Sequence, residues 1–239
     1  MIAASGFLAA ALSISNIWPQ VWRSCRLGRT QGLSPTSSWL AVALNLCWLT
    51  FGLLIHDPAQ VVTHAVVGTG NTAVLAALLI ARPELRSRRV LARTAAGAAG
   101  LAALAAGGAA TVTLLGVAAS SVATPLGSVV TLVGMAAALP QLLGILFDRN
   151  RDLSGMSPAR WYLGAASCTC WVSYGWLLHQ PTMWLSAGFG LVCAVATCMV
   201  LRTRTARPAR PFAVGRPAVA AATGLHLHAA QVRAVLAAA

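Results

Sequence analysis

Few side chains in this sequence are placed to carry out covalent chemistry. The four carboxylates, Asp57, Glu84, Asp148 and Asp152, fall in turns, loops or at a helix end. No Gly-x-Ser-x-Gly, His-Glu-x-x-His or phosphate loop occurs, so an intramembrane enzyme is not expected. The chain has no lysine, which excludes a retinal Schiff base. A thiol oxidoreductase would use Cys-x-x-Cys, whereas Cys168-Thr169-Cys170 has the wrong spacing. His226 and His228 make too small a cluster for a metal, and no metal or cofactor is expected. The chemistry that remains is recognition and proton exchange. Asp57 could take a proton from water, although its turn His56-Asp57-Pro58 points first to capping. His64 could do so because an imidazole titrates near neutrality. Asn45 and Asn71 lie in long apolar runs, where an amide faces either another helix or a watery cavity.

The composition says what positions these groups. Of 239 residues, 58% are hydrophobic and 9% charged. A soluble domain carries about 25% charged residues. The net charge of +13 would suggest nucleic acid if it covered a polar surface, but the arginines are confined to short clusters. Long apolar runs exclude a disordered tail, and length with only six Cys excludes a secreted disulfide scaffold. The chain reads as a multi-span membrane protein whose partner is the lipid bilayer.

Crossing about 30 Å of hydrocarbon takes roughly 20 apolar residues per helix. Residues 1–22 supply one helix, 30–81 two divided at Asp57, 94–147 two, and 161–201 two divided at His179-Gln180-Pro181. The pair within 94–147 is expected to break between Ser120-Ser121 and Thr124-Pro125, with the fourth helix over roughly 95–117. Seven helices with the N-terminus outside place all 17 Arg on the cytoplasmic side, as the positive-inside rule requires. The plasma membrane is the expected location, without a removable signal peptide. Residues 202–239, rich in Arg and Pro and then Ala, read as a basic cytoplasmic tail against anionic lipid.

The chain also repeats. A shift of 123 residues lays Cys47-Trp48-Leu49-Thr50-Phe51-Gly52-Leu53-Leu54-Ile55-His56-Asp57-Pro58 on Cys170-Trp171-Val172-Ser173-Tyr174-Gly175-Trp176-Leu177-Leu178-His179-Gln180-Pro181, with six of twelve positions identical. The same shift matches Gly32-Leu33-Ser34-Pro35 with Gly155-Met156-Ser157-Pro158, and a shift of 121 pairs Pro19-Gln20 with Pro140-Gln141. Two three-helix units, 1–81 and 120–201, are joined by a basic loop and linking helix at 82–119. An odd unit used twice in one orientation needs that extra crossing, which makes these parallel repeats about an axis along the membrane normal. The expected fold is all-α, seven transmembrane helices arranged 3+1+3.

Pro19-Gln20 and Pro140-Gln141, each followed by a basic loop, a Gly-Leu/Met-Ser motif and Trp-x-x-Phe/Tyr-Gly, resemble the PQ-loop repeat of the SWEET and SemiSWEET superfamily. That resemblance, over about 18–80 and 139–201, implies a transporter working by alternating access. It implies hinge roles for Pro19, Gln20, Pro35, Pro140, Gln141 and Pro158, while Pro35 and Pro158 also suit the first turn of a helix. It implies a central cavity between repeats, faced by a Trp on the second helix and an Asn on the third. Trp48 and Trp171 match the Trp; His64 and Ala187 stand at the Asn positions, so the site is asymmetric. Asn45 and Asn71 are further candidates for its lining, whereas His56 and His179 belong to the outer turns.

The function expected is movement of a small polar solute, with a sugar as the first choice and facilitated diffusion preferred. A proton-linked amino-acid transporter of PQ-loop type and a non-transporting sensor or scaffold are the alternatives. An enzyme and a nucleic-acid binder are not expected. A homo-oligomer stays open, since one chain holds both repeats.

Overall fold

Proline begins each helix of the two repeats after the first, and in the first repeat a side-chain cap precedes it. Ser34 accepts from the Ser37 amide ahead of Pro35, and Asp57 accepts from the amides of Ala59 and Gln60 ahead of Pro58. Pro at the first helical position has no N–H to leave unpaired. The computed structural model describes residues 2–31, 33–147 and 158–205, and within them the apolar runs form α1 (Ile2–Val21), α2 (Pro35–Leu54), α3 (Pro58–Ala81), α4 (Arg88–Leu115), α5 (Ala119–Phe147), α6 (Pro158–Leu177) and α7 (Pro181–Thr205). These seven are the helices the charge spacing predicts. Among the described residues, all but α6 are long and apolar enough to cross a membrane. Interspersed Trp, Tyr, Ser and Thr dilute the hydropathy of α6, and several of these side chains point into the protein.

The second and third helices of each repeat are joined in the same way. His56 and His179 adopt the left-handed conformation, with φ of 54° and 53°. Asp57 N–H then reaches the Gly52 carbonyl, and Gln180 N–H the Gly175 carbonyl, both at 2.9 Å. These are Schellman ends in which histidine takes the place of the usual glycine, at a cost of about 1–2 kcal/mol each. Gly52 and Gly175 let the helices close immediately behind the turn. A Cβ on Gly52 would lie 2.7 Å from Gln60 Cβ, and one on Gly175 would lie 2.9 Å from Met183 Cβ.

Three boundaries differ from expectation. The break between α4 and α5 falls at Gly116, left-handed at φ 66°, and Pro125 lies inside α5. Ser120, Ser121 and Thr124 look like turn residues, but Gly116 alone supplies the backbone freedom that ends a helix. α4 begins at Arg88, seven residues before the expected 95, so its first turns carry Arg88, Arg89 and Arg93. Finally, α1 passes just after Pro19-Gln20 into a π-helical turn, Trp22–Arg26, where Gln20 Nε2 donates to Ser24 Oγ at 2.9 Å.

α1 packs on α3 and α6, and α2 on α3, α4 and α5. The cross-repeat pairs α1–α6 and α2–α5 exchange when the repeats are exchanged, as expected for a two-fold relation along the helix direction. Small residues let α4 approach α2: Ala98, Leu101 and Ala105 cluster with Ala43 and Cys47, and Cys47 Sγ donates to the Leu101 carbonyl at 3.2 Å. Ile80, Leu114 and Phe147 are exposed by 70%, 79% and 78%, as lipid-facing side chains would be. At the arginine end, Arg82 Nη2 donates to the Thr30 carbonyl at 2.8 Å and binds the α1–α2 loop to the end of α3. All six cysteines are free. The tail from 206 onward lies outside the described residues.

Candidate functional site

The contacts that hold the repeats together are themselves duplicated. A Cβ on Gly6 of α1 would lie 2.6 Å from the Tyr174 ring of α6 and 3.0 Å from Ala59 Cβ of α3. A Cβ on Gly127 of α5 would lie 2.9 Å from the Phe51 ring of α2 and 3.0 Å from Thr182 Oγ1 of α7. Gly6 and Gly127 are related by the shift of 121, and the other pairs by 123. Each repeat therefore seats an aromatic ring of the other against bare backbone. These seats lie at the turn end of the molecule, near His56-Asp57-Pro58 and His179-Gln180-Pro181.

One of the two seats carries a polar bond that its twin lacks. Tyr174 Oη donates to Asp57 Oδ1 at 2.9 Å, joining α6 of the second repeat to the cap of α3 in the first. Both residues are buried, and Asp57 Oδ2 has no partner among the described residues. The equivalents Phe51 and Gln180 cannot make this bond.

Below the seats a cavity of about 200 Å³ opens between the repeats, lined by Trp48, Gln60, His64, Cys168, Trp171, Met183, Ser186 and Ala187. Six of these eight residues are repeat-related pairs, Trp48 with Trp171, Gln60 with Met183 and His64 with Ala187, while Cys168 and Ser186 line it from the second repeat alone. The indoles are held differently. Trp48 stacks on His64, with centroids 5.9 Å apart and planes 18° from parallel, and meets the Phe51 ring edge-on at 5.4 Å. Trp171 instead donates from Nε1 to Ser13 Oγ at 3.0 Å, and Ser13 Oγ lies 2.9 Å from Ser167 Oγ. The positions equivalent to Ser13 and Ser167 are Gly134 and Leu44, which offer no such anchor to Trp48.

A second, larger space of about 510 Å³ is a groove between α2 and α3, lined mainly by apolar and small residues with Asn45, His64, Thr69 and Thr72. His64 borders both spaces, and its Nδ1 lies 3.0 Å from Asn45 Oδ1.

The structure thus brings Trp48, His64 and Trp171 to one cavity and puts Asn45 behind His64, while Asn71 lines neither space. Pro19 and Pro140 lie inside α1 and α5, Pro35 is the first residue of α2, and Pro158 the first of α6. Gln20 bonds Ser24; the side chains of Gln141 and Pro158 fall outside the described residues. Sequence reasoning did not single out Gln60, Met183, Ser186, Ser13, Ser167 or the Tyr174–Asp57 bond. The repeat shift pairs Gln60 with Met183, but nothing in composition says that either faces a cavity. Among the described residues, no group of three metal-ligating side chains occurs.

Residues 1–61 match the family model described as PQ loop repeat, and residues 122–205 match the model described as sugar efflux transporter for intercellular exchange. No curated protein matches the chain significantly. The two matched segments cover the two halves between which the glycine seats, the indoles and the histidine turns correspond. The chain is a PQ-loop repeat membrane protein of the SWEET-like superfamily.

Proposed function

We propose that the protein carries a small, neutral, hydroxyl-bearing solute, a sugar of about one ring, through the central cavity by alternating access. The observation that carries this reading is the cavity itself. Two indole walls face it, one from each repeat, and its other lining groups include the amide of Gln60, the imidazole of His64 and the hydroxyl of Ser186, with no carboxylate, Arg or Lys. Indole faces suit the C–H faces of a sugar, and neutral polar groups suit its hydroxyls. A zwitterionic amino acid would need counter-charges in a low-dielectric site, and none lines the cavity. The volume of about 200 Å³ lies below the range of about 300–1,000 Å³ for drug-sized ligands. That favours a monosaccharide over a disaccharide.

The glycine seats and the Tyr174–Asp57 bond support a closed turn end in this conformation, since they tie α1 to α6 and α2 to α5 where the solute would enter or leave. Parting the seats while the arginine end closes would expose the cavity to the other side. Pro19 and Pro140, inside the helices of both cross-repeat pairs, are the hinges in this reading. The turn end faces outward and the arginine end the cytoplasm, which follows from the positive-inside rule.

Uptake of labelled monosaccharides, disaccharides and amino acids into proteoliposomes, with and without a pH gradient, tests the proposal. Saturable monosaccharide uptake that ignores the gradient and is lost in Trp48→Ala and Trp171→Ala is expected. Preference for an amino acid, or flux that follows the proton gradient, would overturn it. Pro19→Ala with Pro140→Ala should lower flux while leaving membrane abundance intact.

A further inference from the structure

His64 and Asn45 form a polar pair whose hydrogen-bond direction can be read from its surroundings. Asn45 Nδ2 lies 2.8 Å from the Ala41 carbonyl, which can only accept, so this end of the amide is the NH2 group. The other end, Oδ1, is then the atom facing His64 Nδ1 at 3.0 Å, and a carbonyl oxygen can only accept. His64 Nδ1 must therefore carry a hydrogen. A neutral imidazole carries one N–H, which leaves Nε2 as an acceptor. Asn45 lines the α2–α3 groove and not the central cavity, whereas His64 lines both. The bonded edge of the ring is thus turned to the groove and the Nε2 edge is left to the cavity. Nε2 has no partner among the described residues, and it is not among the side-chain atoms sealed away without one. Stacking on Trp48 fixes the plane of the ring, and the Asn45 bond fixes which way round it lies.

Resting on the transport reading above, we propose that Asn45 is a positioning residue that holds His64 as its Nδ1–H tautomer, making Nε2 a hydrogen-bond acceptor for a solute hydroxyl. The device belongs to one repeat. Cys168 stands at the position equivalent to Asn45 and Ala187 at that of His64, so the pair is absent as a unit from the second repeat. The cavity accordingly selects a solute that presents a donor toward the first repeat, and discriminates against the same solute with that hydroxyl methylated or replaced by fluorine.

The test uses the full chain in lipid nanodiscs with 15N-labelled histidine, the His64 signals being assigned by difference from His64→Gln. Wild type should show a protonated Nδ1 and an unprotonated Nε2. Asn45→Leu, similar in size but unable to accept, should shift the ring toward Nε2–H, the form a free imidazole prefers. Asn45→Asp, which still accepts, should restore Nδ1–H. In proteoliposomes Asn45→Leu should raise KM for a monosaccharide about tenfold, the loss of one hydrogen bond, with kcat little changed. A singly O-methylated or fluorinated sugar that wild type handles poorly should suffer no further loss in Asn45→Leu. An Nε2–H ring in wild type, or a tautomer unmoved by Asn45→Leu, overturns the proposal. Absence of any sugar uptake by wild type would instead overturn the transport reading, while the tautomer spectrum would still decide whether Asn45 orients the ring.

Discussion

Tyr174→Phe is the sharpest test of the closed turn end, because the molecule already contains its control. Phe51 occupies the equivalent seat against Gly127 without a hydroxyl, so a phenylalanine at 174 recreates a packing arrangement the fold accepts. The substitution removes one bond of 2.9 Å to a carboxylate oxygen, while Asp57 Oδ1 still accepts from the amides of Ala59 and Gln60. In an open conformation Tyr174 and Asp57 would exchange that bond for water, so its net contribution to closure is about 1–2 kcal/mol. The open fraction should rise by roughly tenfold, a factor that corresponds to about 1.4 kcal/mol. Cys168 lines the cavity and provides the reporter, once the exposed Cys25 has been changed to serine. A membrane-impermeant thiol reagent added to intact cells should label Cys168 about ten times faster in Tyr174→Phe. An unchanged labelling rate, with thermal stability lowered all the same, would show that the bond stabilises the fold without governing access, and the latch would have to be abandoned.

Asp57→Ala should be worse than Asp57→Asn, because alanine loses the helix cap as well as the latch, about 1 kcal/mol for the cap alone; comparing their Tm values in detergent decides this, and equal values would show that the cap contributes nothing. Gly127→Ala would force a methyl to within 2.9 Å of the Phe51 ring, and overpacking of this kind costs about 1–3 kcal/mol, read as lower Tm and lower flux together. His56→Gly and His179→Gly relieve left-handed histidines, and because glycine loses more chain entropy on folding, each should raise Tm by an amount equivalent to about 1 kcal/mol at most. A fall in Tm would mean that the imidazoles make contacts worth more than the backbone strain.

Helix number was legible because charge is confined to a few clusters, and membrane insertion leaves little choice about what lies between them. The duplication was legible because Trp, His, Cys and Pro recur at one spacing where bias toward Ala and Leu would match nothing of the kind. The α4–α5 break was misplaced because polar residues are a weaker signal than backbone freedom: Gly116 ends the helix, and Pro125 is carried within the next one. The glycine seats had a signal, the pairing of Gly6 with Gly127, but glycine is so common in this chain that the match carries weight only once each is seen facing an aromatic ring. Ser13 with Trp171 and Asp57 with Tyr174 had none. Such pairs are separated by more than a hundred residues, and their meeting depends on the rotation of helices in different repeats, which a single sequence does not record.

The frame of the molecule is symmetric at the helix turns and glycine seats and asymmetric in the cavity between the repeats. Both repeats have the glycine seat, the histidine turn and the indole. Inside the cavity the two indoles have separate surroundings. Trp48 is stacked on a polar ring, whereas Trp171 ends a chain of hydroxyls running from its Nε1 through Ser13 and Ser167 toward the Ala9 carbonyl, 3.5 Å from Ser167 Oγ. In the transport reading proposed above, a rigid second wall would let the first repeat do the discriminating, because a solute pressed against a fixed face could satisfy the His64 side in one orientation only. Ser13→Ala removes the partner of the indole N–H at the loss of one neutral hydrogen bond, about 1 kcal/mol. Ser167 keeps its reach toward Ala9, so the α1–α6 contact survives. Trp171 would then be free to tilt, and KM should rise about fivefold while kcat stays within a factor of about two. Unaltered KM accompanied only by a small drop in Tm would mean that the hydroxyl chain merely cements α1 to α6, and that the second repeat contributes no fixed wall to recognition.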